Sequence, residues 1–200
     1  MTVTVAIFLF PEVEVLDFAG PYEVFTTAAR VHGRHHPEAL PLFRVFTVAE
    51  STAPVRARAG LEVKPDFTPT THPALDVLVI PGGVVQAELE KPEVIRWIAA
   101  QASHARITAS VCTGAFLLAR AGLLGGRTVT THWEDIPDLR ANFPDLTVKE
   151  NCRWVDEGEI VTSGGISAGI DMSLHLVARL AGRELAVATA RQMEVEWREM

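Results

Sequence analysis

Ile107-Thr-Ala-Ser-Val-Cys-Thr-Gly-Ala-Phe-Leu-Leu118 is the segment that indicates the fold class most clearly. Its first five residues, Ile107–Val111, have a strand-like pattern, and Thr113–Ala121 is predicted to be a helix that ends at Gly122. Cys112 stands on the joint between them. A sharp strand-to-helix turn of this kind is a nucleophile elbow, which lifts one side chain clear of the sheet. Small residues beside the cysteine, such as Gly114, let such a turn fit.

The rest of the chain repeats the alternation of strand and helix. Strands are predicted at Val3–Phe10, Phe43–Ala49, Asp76–Ile80 and Arg127–Thr131, with hairpins over Val55–Lys64 and around Asp156-Glu-Gly158. Helices are predicted from Asp17 to Arg30 and over Pro92–Ala102, Ile136–Asn142, Gly169–Leu180 and Glu184–Glu196, with a loop at His32–Pro37. This order favours an α/β three-layer sandwich with a mostly parallel, flavodoxin-like central sheet. We expect residues 1–200 to form a single domain.

Composition excludes several classes of protein. The chain has 200 residues, of which 48% are hydrophobic and 22% are charged, so it is not a disordered chain. Its 18 Lys and Arg residues against 25 Asp and Glu residues give a net charge of −7. That balance argues against nucleic-acid binding, which needs a basic face. A small-molecule substrate is the partner that we expect.

The N-terminus does not have the features of a secretory signal. Met1–Phe10 is apolar but lacks a basic start, and Pro11 follows at once. No apolar run reaches the ~20 residues that a bilayer requires. We therefore expect no membrane partner and a cytoplasmic location, where Cys112 and Cys152 would be reduced rather than bridged.

The position of Cys112 predicts its chemistry. A thiol at a helix N-terminus is exposed to unpaired N–H groups and the helix dipole, which would stabilise a thiolate and lower the pKa. The N–H of Thr113 could in addition stabilise an oxyanion. The competing interpretation is that Cys112 is a small buried apolar side chain, as most cysteines are.

The segments that follow other strands should lie near Cys112, because the carboxyl ends of parallel strands share one edge of the sheet and ligands bind beyond that edge. One strand leads into Pro11–Asp17 and another into Gly82 and Gly83, whose backbone can approach a ligand closely. A late strand leads into Ser163–Gly169, in which Gly165 and Ile166 are candidate cavity residues. Turn geometry alone is the alternative explanation for each pair of glycines.

Several further side chains are weaker candidates. Glu14 is expected to be a solvated loop charge. His132 follows a strand and either borders the cavity or is a hydrogen-bonded structural residue. Asp171 is expected near the start of its helix, where the dipole favours negative charge. Cys152 has no elbow context and is expected to be inert.

No cofactor or metal is expected. The chain lacks the GxGxxG and GxxxxGK patterns that bind nucleotide phosphates. The one histidine cluster has no carboxylate or cysteine at a matching spacing, so a surface loop is a better explanation than a metal site. That cluster consists of His32, His35 and His36.

Motifs spread over nearly the whole chain resemble those of the ThiJ/PfpI superfamily, whose fold is that of class I glutamine amidotransferases. Within it, the combination is most similar to isocyanide hydratases and to the amidase-like sensor domains of AraC-type regulators. The matching segments are Phe8–Glu12, Leu16–Pro21, Val79–Gly83, Ser110–Gly114, Ala121–Leu124, Thr130–Trp133 and Gly164–Asp171.

The resemblance implies roles for particular residues. Cys112 matches the elbow nucleophile, and Asp17 matches the acidic residue that members place beside the sulfur. Gly82, Gly83 and Thr113 fall where members bind the substrate and an oxyanion, with Gly83 and Thr113 matching the backbone donors. Proteolytic members have a histidine directly after the cysteine, where this chain has Thr113, so a protease is disfavoured.

The resemblance implies a cofactor-independent hydratase or lyase that adds water to an isocyanide and releases an N-substituted formamide. Asp17 would act first as an acid and then as a base. Two alternatives stay open: glyoxalase-like hydration of 2-oxoaldehydes, and a ligand- or redox-sensing module. The chain ends directly after its last predicted helix, so we expect no helix-turn-helix region, and homodimerisation is expected by resemblance alone.

Overall fold

The computed structural model describes residues 1–199. Strands and helices alternate through most of the chain. The strands are β1 (Val3–Phe8), β2 (Phe43–Val48), β3 (Val55–Arg56), β4 (Glu62–Val63), β5 (Val77–Ile80), β6 (Ile107–Val111), β7 (Thr128–Val129), β8 (Thr147–Val148), β9 (Trp154–Asp156) and β10 (Ile160–Ser163). The helices are α1 (Val15–His35), α2 (Gln86–Leu89), α3 (Pro92–Ala102), α4 (Gly114–Arg120), α5 (Ile136–Asn142), α6 (Ala168–Ala181) and α7 (Arg183–Gln192).

A six-stranded sheet forms the centre of the molecule. Its strand order is β2-β1-β5-β6-β10-β9. The first five strands in this order pair in parallel, and β9 is an antiparallel edge strand on β10. Counted along the chain, the parallel strands have the 2-1-3-4-5 order of flavodoxin-like folds. The predicted fold class is confirmed.

Helices cover both faces of this sheet. Helices α1, α6 and α7 pack against one another on one face, and α2, α3 and α4 pack on the other. The parallel strands are buried on both sides, which explains why β5 and β6 are uninterrupted runs of buried residues rather than alternating ones. These two layers of helices complete the three-layer sandwich.

Helix α1 differs from its prediction at both ends. It begins at Val15, two residues before the predicted start, so Pro21 lies in the second turn, and there its missing N–H removes one helical hydrogen bond. It continues to His35, so the loop predicted at His32–Pro37 is wrong for most of its length. The backbone N–H of His36 closes the helix on the carbonyls of His32 and Gly33.

The segment between α4 and β9 also differs. The strand predicted at Arg127–Thr131 shrinks to β7, which lies outside the central sheet and pairs in parallel with β8, a strand that was not predicted. Both strands have two residues, too few for a pattern of alternation to register. The hairpin predicted over Val55–Lys64 is confirmed as β3 and β4, whereas α7 ends at Gln192, four residues before the predicted end.

Candidate active site

The candidate site lies at the carboxyl ends of four neighbouring parallel strands. The loop after β1 carries Glu14 and leads to Asp17 in the first turn of α1. The loop after β5 carries Gly82 and Gly83, and the turn after β6 carries Cys112. Strands β1 and β5 are neighbours at the point where the strand order reverses, the usual ligand position in open α/β sheets.

Cys112 has the backbone geometry of a nucleophile elbow. Its φ is +56°, in the left-handed region that a non-glycine residue seldom occupies. Two contacts fix the turn: the Cys112 N–H donates to Ser163 O at 3.1 Å, and the Thr131 hydroxyl donates to Cys112 O at 2.8 Å. Position 114, two residues after the cysteine, must be small, because a β-carbon on Gly114 would lie 2.1 Å from Ile80 O. The elbow predicted from the sequence is present.

Asp17 is fully buried beside Cys112 and is held by backbone from two other loops. Its carboxyl accepts the N–H of Ile166 at 2.9 Å and the N–H of Gly82 at 3.2 Å. Burial raises the pKa of Asp17 to about 6, against the lowering effect of the Ile166 N–H and the Cys112 thiol, while the charge of Glu14 raises it further. A carboxyl with a pKa near neutrality can both accept and donate a proton.

The Cys112 thiol is less acidic than the sequence predicts. Burial, and after it the charge of the Asp17 carboxyl, raises the pKa of Cys112 above its ordinary value. The Thr113 N–H lowers the pKa but does not offset them. The predicted low-pKa thiol is therefore wrong for this arrangement, because a helix of seven residues acts on a side chain that is only 7% exposed and faces a carboxylate. The raised thiol pKa keeps Cys112 in its neutral form beside Asp17, whose carboxyl is placed to accept the thiol proton.

The glycine loop after β5 packs tightly against the elbow. A β-carbon on Gly82 would lie 2.6 Å from Thr113 N and 2.8 Å from Cys112 Cβ. The Thr113 hydroxyl accepts the Gly83 N–H at 2.9 Å and donates to Gly83 O at 2.9 Å. Both glycine N–H groups thus have partners within the protein, and the Thr113 N–H is the donor that faces the sulfur. The oxyanion roles of these residues stay predictions.

A cavity of about 220 Å³ lies over the sulfur. Its wall is lined by Glu14, Arg58, Gly83, Cys112, Thr113, His132, Glu134, Asp135 and Ile166. Glu14 was expected to be a solvated loop charge, but it lies in this wall and pairs with Arg58 at 3.3 Å. Three carboxylates against one guanidinium make the cavity acidic.

His132 lines the same cavity. A β-carbon on Gly165 would lie 2.4 Å from His132 Cδ2 and 3.0 Å from Cys112 Sγ, so the imidazole ring and the sulfur are neighbours on the same side of Gly165. The His132 Nδ1 lies 3.3 Å from the Asp135 carboxylate. Sequence reasoning missed Asp135, although a histidine and an acid three residues apart at the start of a helical turn give a detectable pattern.

The remaining candidates lie elsewhere. Cys152 is a free, half-buried thiol in the wall of an adjacent cavity. Asp171 lies in the first turn of α6, as predicted, and pairs there with Arg153. His32 and His35 belong to α1, and His36 follows it directly.

Within residues 1–199, no three or more His, Cys, Asp or Glu side chains are grouped so that they could hold a metal ion. In the same range, none of the helices combines the length and the apolar character needed to cross a bilayer.

Comparison with known proteins places the chain in a family. The model of the DJ-1/PfpI family matches residues 3–179, and the chain belongs to this family. It is 37% identical over 195 residues to an isonitrile hydratase of Pseudomonas putida, covering 97% of this chain and 79% of that protein. It is 31% identical to the helix-turn-helix transcriptional regulator GbdR of Pseudomonas aeruginosa, covering 96% of this chain but only 51% of the regulator.

A solved structure supports the same assignment. The fold superimposes on a ThiJ/PfpI family protein of Pseudomonas syringae with a TM-score of 0.85 and 29% identity, covering 100% of this chain and 77% of that one. Enzymes and transcriptional regulators thus both occur among the relatives, and the chain spans about half the length of the regulator.

Proposed function

We propose that this chain is a cofactor-independent, cysteine-dependent hydratase that converts an isocyanide into an N-substituted formamide. The observation that carries the proposal is the pairing of Cys112, at the elbow, with a buried Asp17 whose pKa is raised to about 6. Similarity to an isonitrile hydratase over 97% of the chain supports the choice of substrate class. The site needs only a nucleophile, one proton carrier and water for this reaction.

The first step joins the sulfur to the substrate. Asp17, which is largely ionised at neutral pH, takes the thiol proton as Cys112 Sγ attacks the terminal isocyanide carbon. That carbon gains the new C–S bond and then receives the proton from Asp17, which gives a thioimidate, R–N=CH–S–Cys. Burial of the thiol supports this order, because the proton is removed only as the sulfur attacks.

The second step consumes water. Asp17, again a carboxylate, takes a proton from a water molecule that attacks the thioimidate carbon, and the nitrogen is protonated in turn. The C–S bond then breaks, the water oxygen becomes the formamide carbonyl, and the remaining water proton restores the thiol. In each of the two steps, Asp17 first accepts a proton as a base and then donates it as an acid, so no histidine is needed.

Two other functions have an observation in their favour. The pairing of His132 with Asp135 next to the sulfur supplies a histidine and an acid of the kind that glyoxalase-like members use with their cysteine, which favours hydration of 2-oxoaldehydes as the second candidate. Similarity to the regulator GbdR over 96% of the chain favours a sensing module as the third.

Turnover separates the three functions. We would incubate the protein, and a Cys112→Ala variant, with p-nitrophenyl isocyanide, with methylglyoxal and with a peptide. Formamide production by the native chain alone is the expected outcome, with a loss of at least roughly a thousandfold in the variant. Formamide production that survives Cys112→Ala would refute the mechanism. Lactate production would favour the second candidate, and no turnover of any substrate would favour the sensor.

A further inference from the structure

A second cavity opens beside the one over Cys112. It has a volume of about 330 Å³. Residues His132 and Ile166 belong to the walls of both cavities, so the two spaces adjoin. Gly165 belongs to the second wall, and a β-carbon on it would lie 3.0 Å from Cys112 Sγ, so this wall lies close to the sulfur. A substituent that extends from the sulfur past Ile166 would enter the second cavity.

The two cavities differ in chemistry. The one over the sulfur is acidic, since Glu14, Glu134 and Asp135 line it and its one guanidinium, Arg58, is paired. The second cavity has no carboxylate among its lining residues, and its one cation, Arg153, pairs with the buried Asp171. The wall is otherwise neutral: the polar groups of Thr130, Thr131 and Asn151 alternate with apolar groups from Trp133, Ile136, Cys152 and Ala168.

Trp133 is the least buried of these groups. Its residue is 73% exposed, an unusual state for an indole, and its ring lies 5.8 Å from that of His132 at the boundary of the two cavities. An uncharged aromatic or branched apolar group that enters the second cavity would cover part of this ring. Such burial is worth roughly 25 cal/mol per Å² of apolar surface.

We propose that the second cavity binds the N-substituent of the substrate, with the reacting carbon at Cys112, and that Trp133 and Cys152 select neutral aromatic or bulky apolar substituents. This inference rests on the proposed function for the identity of the reacting group. The acidic cavity over the sulfur adds a second selection, because an anionic substituent that passes Glu14, Glu134 and Asp135 is repelled.

Kinetics with one variant inside the second cavity and one outside both cavities test the proposal. Cys152→Phe fills part of the second cavity, and Glu157→Gln, at an exposed residue of the turn between β9 and β10, is the control. For p-nitrophenyl isocyanide we expect KM to rise roughly tenfold or more in Cys152→Phe and to stay at the native value in Glu157→Gln. In Cys152→Phe the loss of kcat/KM should be roughly tenfold greater for the aryl isocyanide than for methyl isocyanide, which is too short to reach the cavity.

Trp133→Ala and a charged substrate extend the test. Trp133→Ala should raise KM for the aryl isocyanide by severalfold with little change in kcat, since the ring binds the substituent and does not act on the reacting carbon. Against 4-carboxyphenyl isocyanide the native protein should show a lower kcat/KM than against the nitro compound. Equal losses for aryl and methyl isocyanides in Cys152→Phe would overturn the proposal.

A binding measurement does not depend on turnover. In a Cys112→Ser variant, Cys152 is the one remaining cysteine. We expect N-phenylformamide to slow the reaction of this thiol with a maleimide, and N-methylformamide at the same concentration not to slow it. Protection without turnover of any isocyanide would retain the cavity assignment and refute the hydratase. Turnover without protection, and with unchanged KM in Cys152→Phe, would retain the hydratase and refute the cavity assignment.

Discussion

At the scale of single residues, Asp17 sets the chemistry of the site. Its carboxyl is fully buried and accepts two backbone N–H groups, yet burial outweighs them and raises its pKa to about 6. The thiol next to it has a raised pKa as well, first through burial and then through the carboxyl charge. The carboxylate thus opposes ionisation of the thiol, whereas the thiol lowers the pKa of the carboxyl and favours its ionised form, which leaves Asp17 placed to accept the thiol proton.

This coupling predicts the pH dependence of activity. Because the first step needs ionised Asp17, kcat/KM should fall as the pH drops through about 6. Asp17→Asn should remove this limb and lower kcat/KM by roughly a hundredfold to ten-thousandfold. The measurement is kcat/KM for p-nitrophenyl isocyanide from pH 4.5 to 8.5. A flat profile in the native chain would contradict the assignment of Asp17 as the base.

Glu14→Gln is the matched control for this profile. The charge of Glu14 raises the pKa of Asp17, so its removal should move the acid limb to lower pH without abolishing it. The Glu14 side chain lines the cavity, and the two hydrogen bonds to the Asp17 carboxyl come from the backbone of Gly82 and Ile166, so the substitution leaves both donors in place. If the acid limb of the pH profile stays in place in Glu14→Gln, or moves to higher pH, the group that titrates is not Asp17.

The sequence supported some of these residue-level conclusions and not others. Cys112 could be predicted because the strand, the cysteine and Gly114 are contiguous, and Asp17 came from the family resemblance. The raised pKa of the thiol could not be predicted, since it depends on burial and on a carboxyl 95 positions away along the chain. Glu14 was misjudged for the same reason: its ion-pair partner, Arg58, is 44 positions away along the chain, in the turn between β3 and β4.

At the scale of elements, the joint between β6 and α4 carries the tightest backbone approach in the site. A β-carbon on Gly114 would lie 2.1 Å from Ile80 O and 2.9 Å from Pro81 O, both main-chain atoms that cannot rotate away. Gly114→Ala should therefore lower the free energy of unfolding by roughly 3 kcal/mol, through displacement of α4 from β5. Urea unfolding followed by circular dichroism measures this.

Gly33→Ala is the control for that substitution. Gly33 lies inside α1 with no atom within 4 Å of an added β-carbon, so alanine meets no obstacle. Here the change should raise the free energy of unfolding by about 0.5–1 kcal/mol, because alanine restricts the unfolded chain and favours the helix. Similar effects of both substitutions would contradict the steric account of Gly114.

Elements of different kinds were predictable to different degrees. The buried parallel strands and the amphipathic α3 are long enough to leave a pattern in the sequence, and α3 has the bounds that were predicted. The end of α1 was missed because its last turn is a run of polar residues that reads as a loop, although no proline interrupts it before Pro37. Strands β7 and β8 owe their pairing to the packing around them.

At the scale of the whole molecule, β9 forms one edge of the central sheet. This antiparallel strand covers the open edge of β10, and its last residue, Asp156, ties the hairpin to α6. The Asp156 carboxylate lies 2.6 Å from His175 Nε2 and 3.0 Å from Arg179 Nη1, and it accepts the Gly158 N–H at 2.8 Å. One carboxylate thus joins the sheet edge, its turn and the helix layer.

The charge of Asp156 should make global stability depend on pH. Burial raises the pKa of Asp156, but His175, the Gly158 N–H and Arg179 together outweigh it and hold the pKa below its usual range. A lowered pKa means that the folded state favours the ionised form. The resulting stabilisation is present above the pKa of the unfolded chain, near 4, and is lost as the pH falls through the lower pKa of the folded state.

Asp156→Asn tests this dependence. At pH 7 the substitution should lower the free energy of unfolding by about 1–2 kcal/mol, because it removes a charge-assisted network that is mostly shielded from water. Near pH 3 the native carboxyl is itself becoming protonated, so the difference between native and variant chains should shrink. Urea unfolding at both pH values gives the two differences.

Glu157→Gln, at an exposed neighbour in the same turn, should change stability little at either pH. A difference for Asp156→Asn that stays constant between pH 7 and pH 3 would show that the network acts through packing and not through the charge.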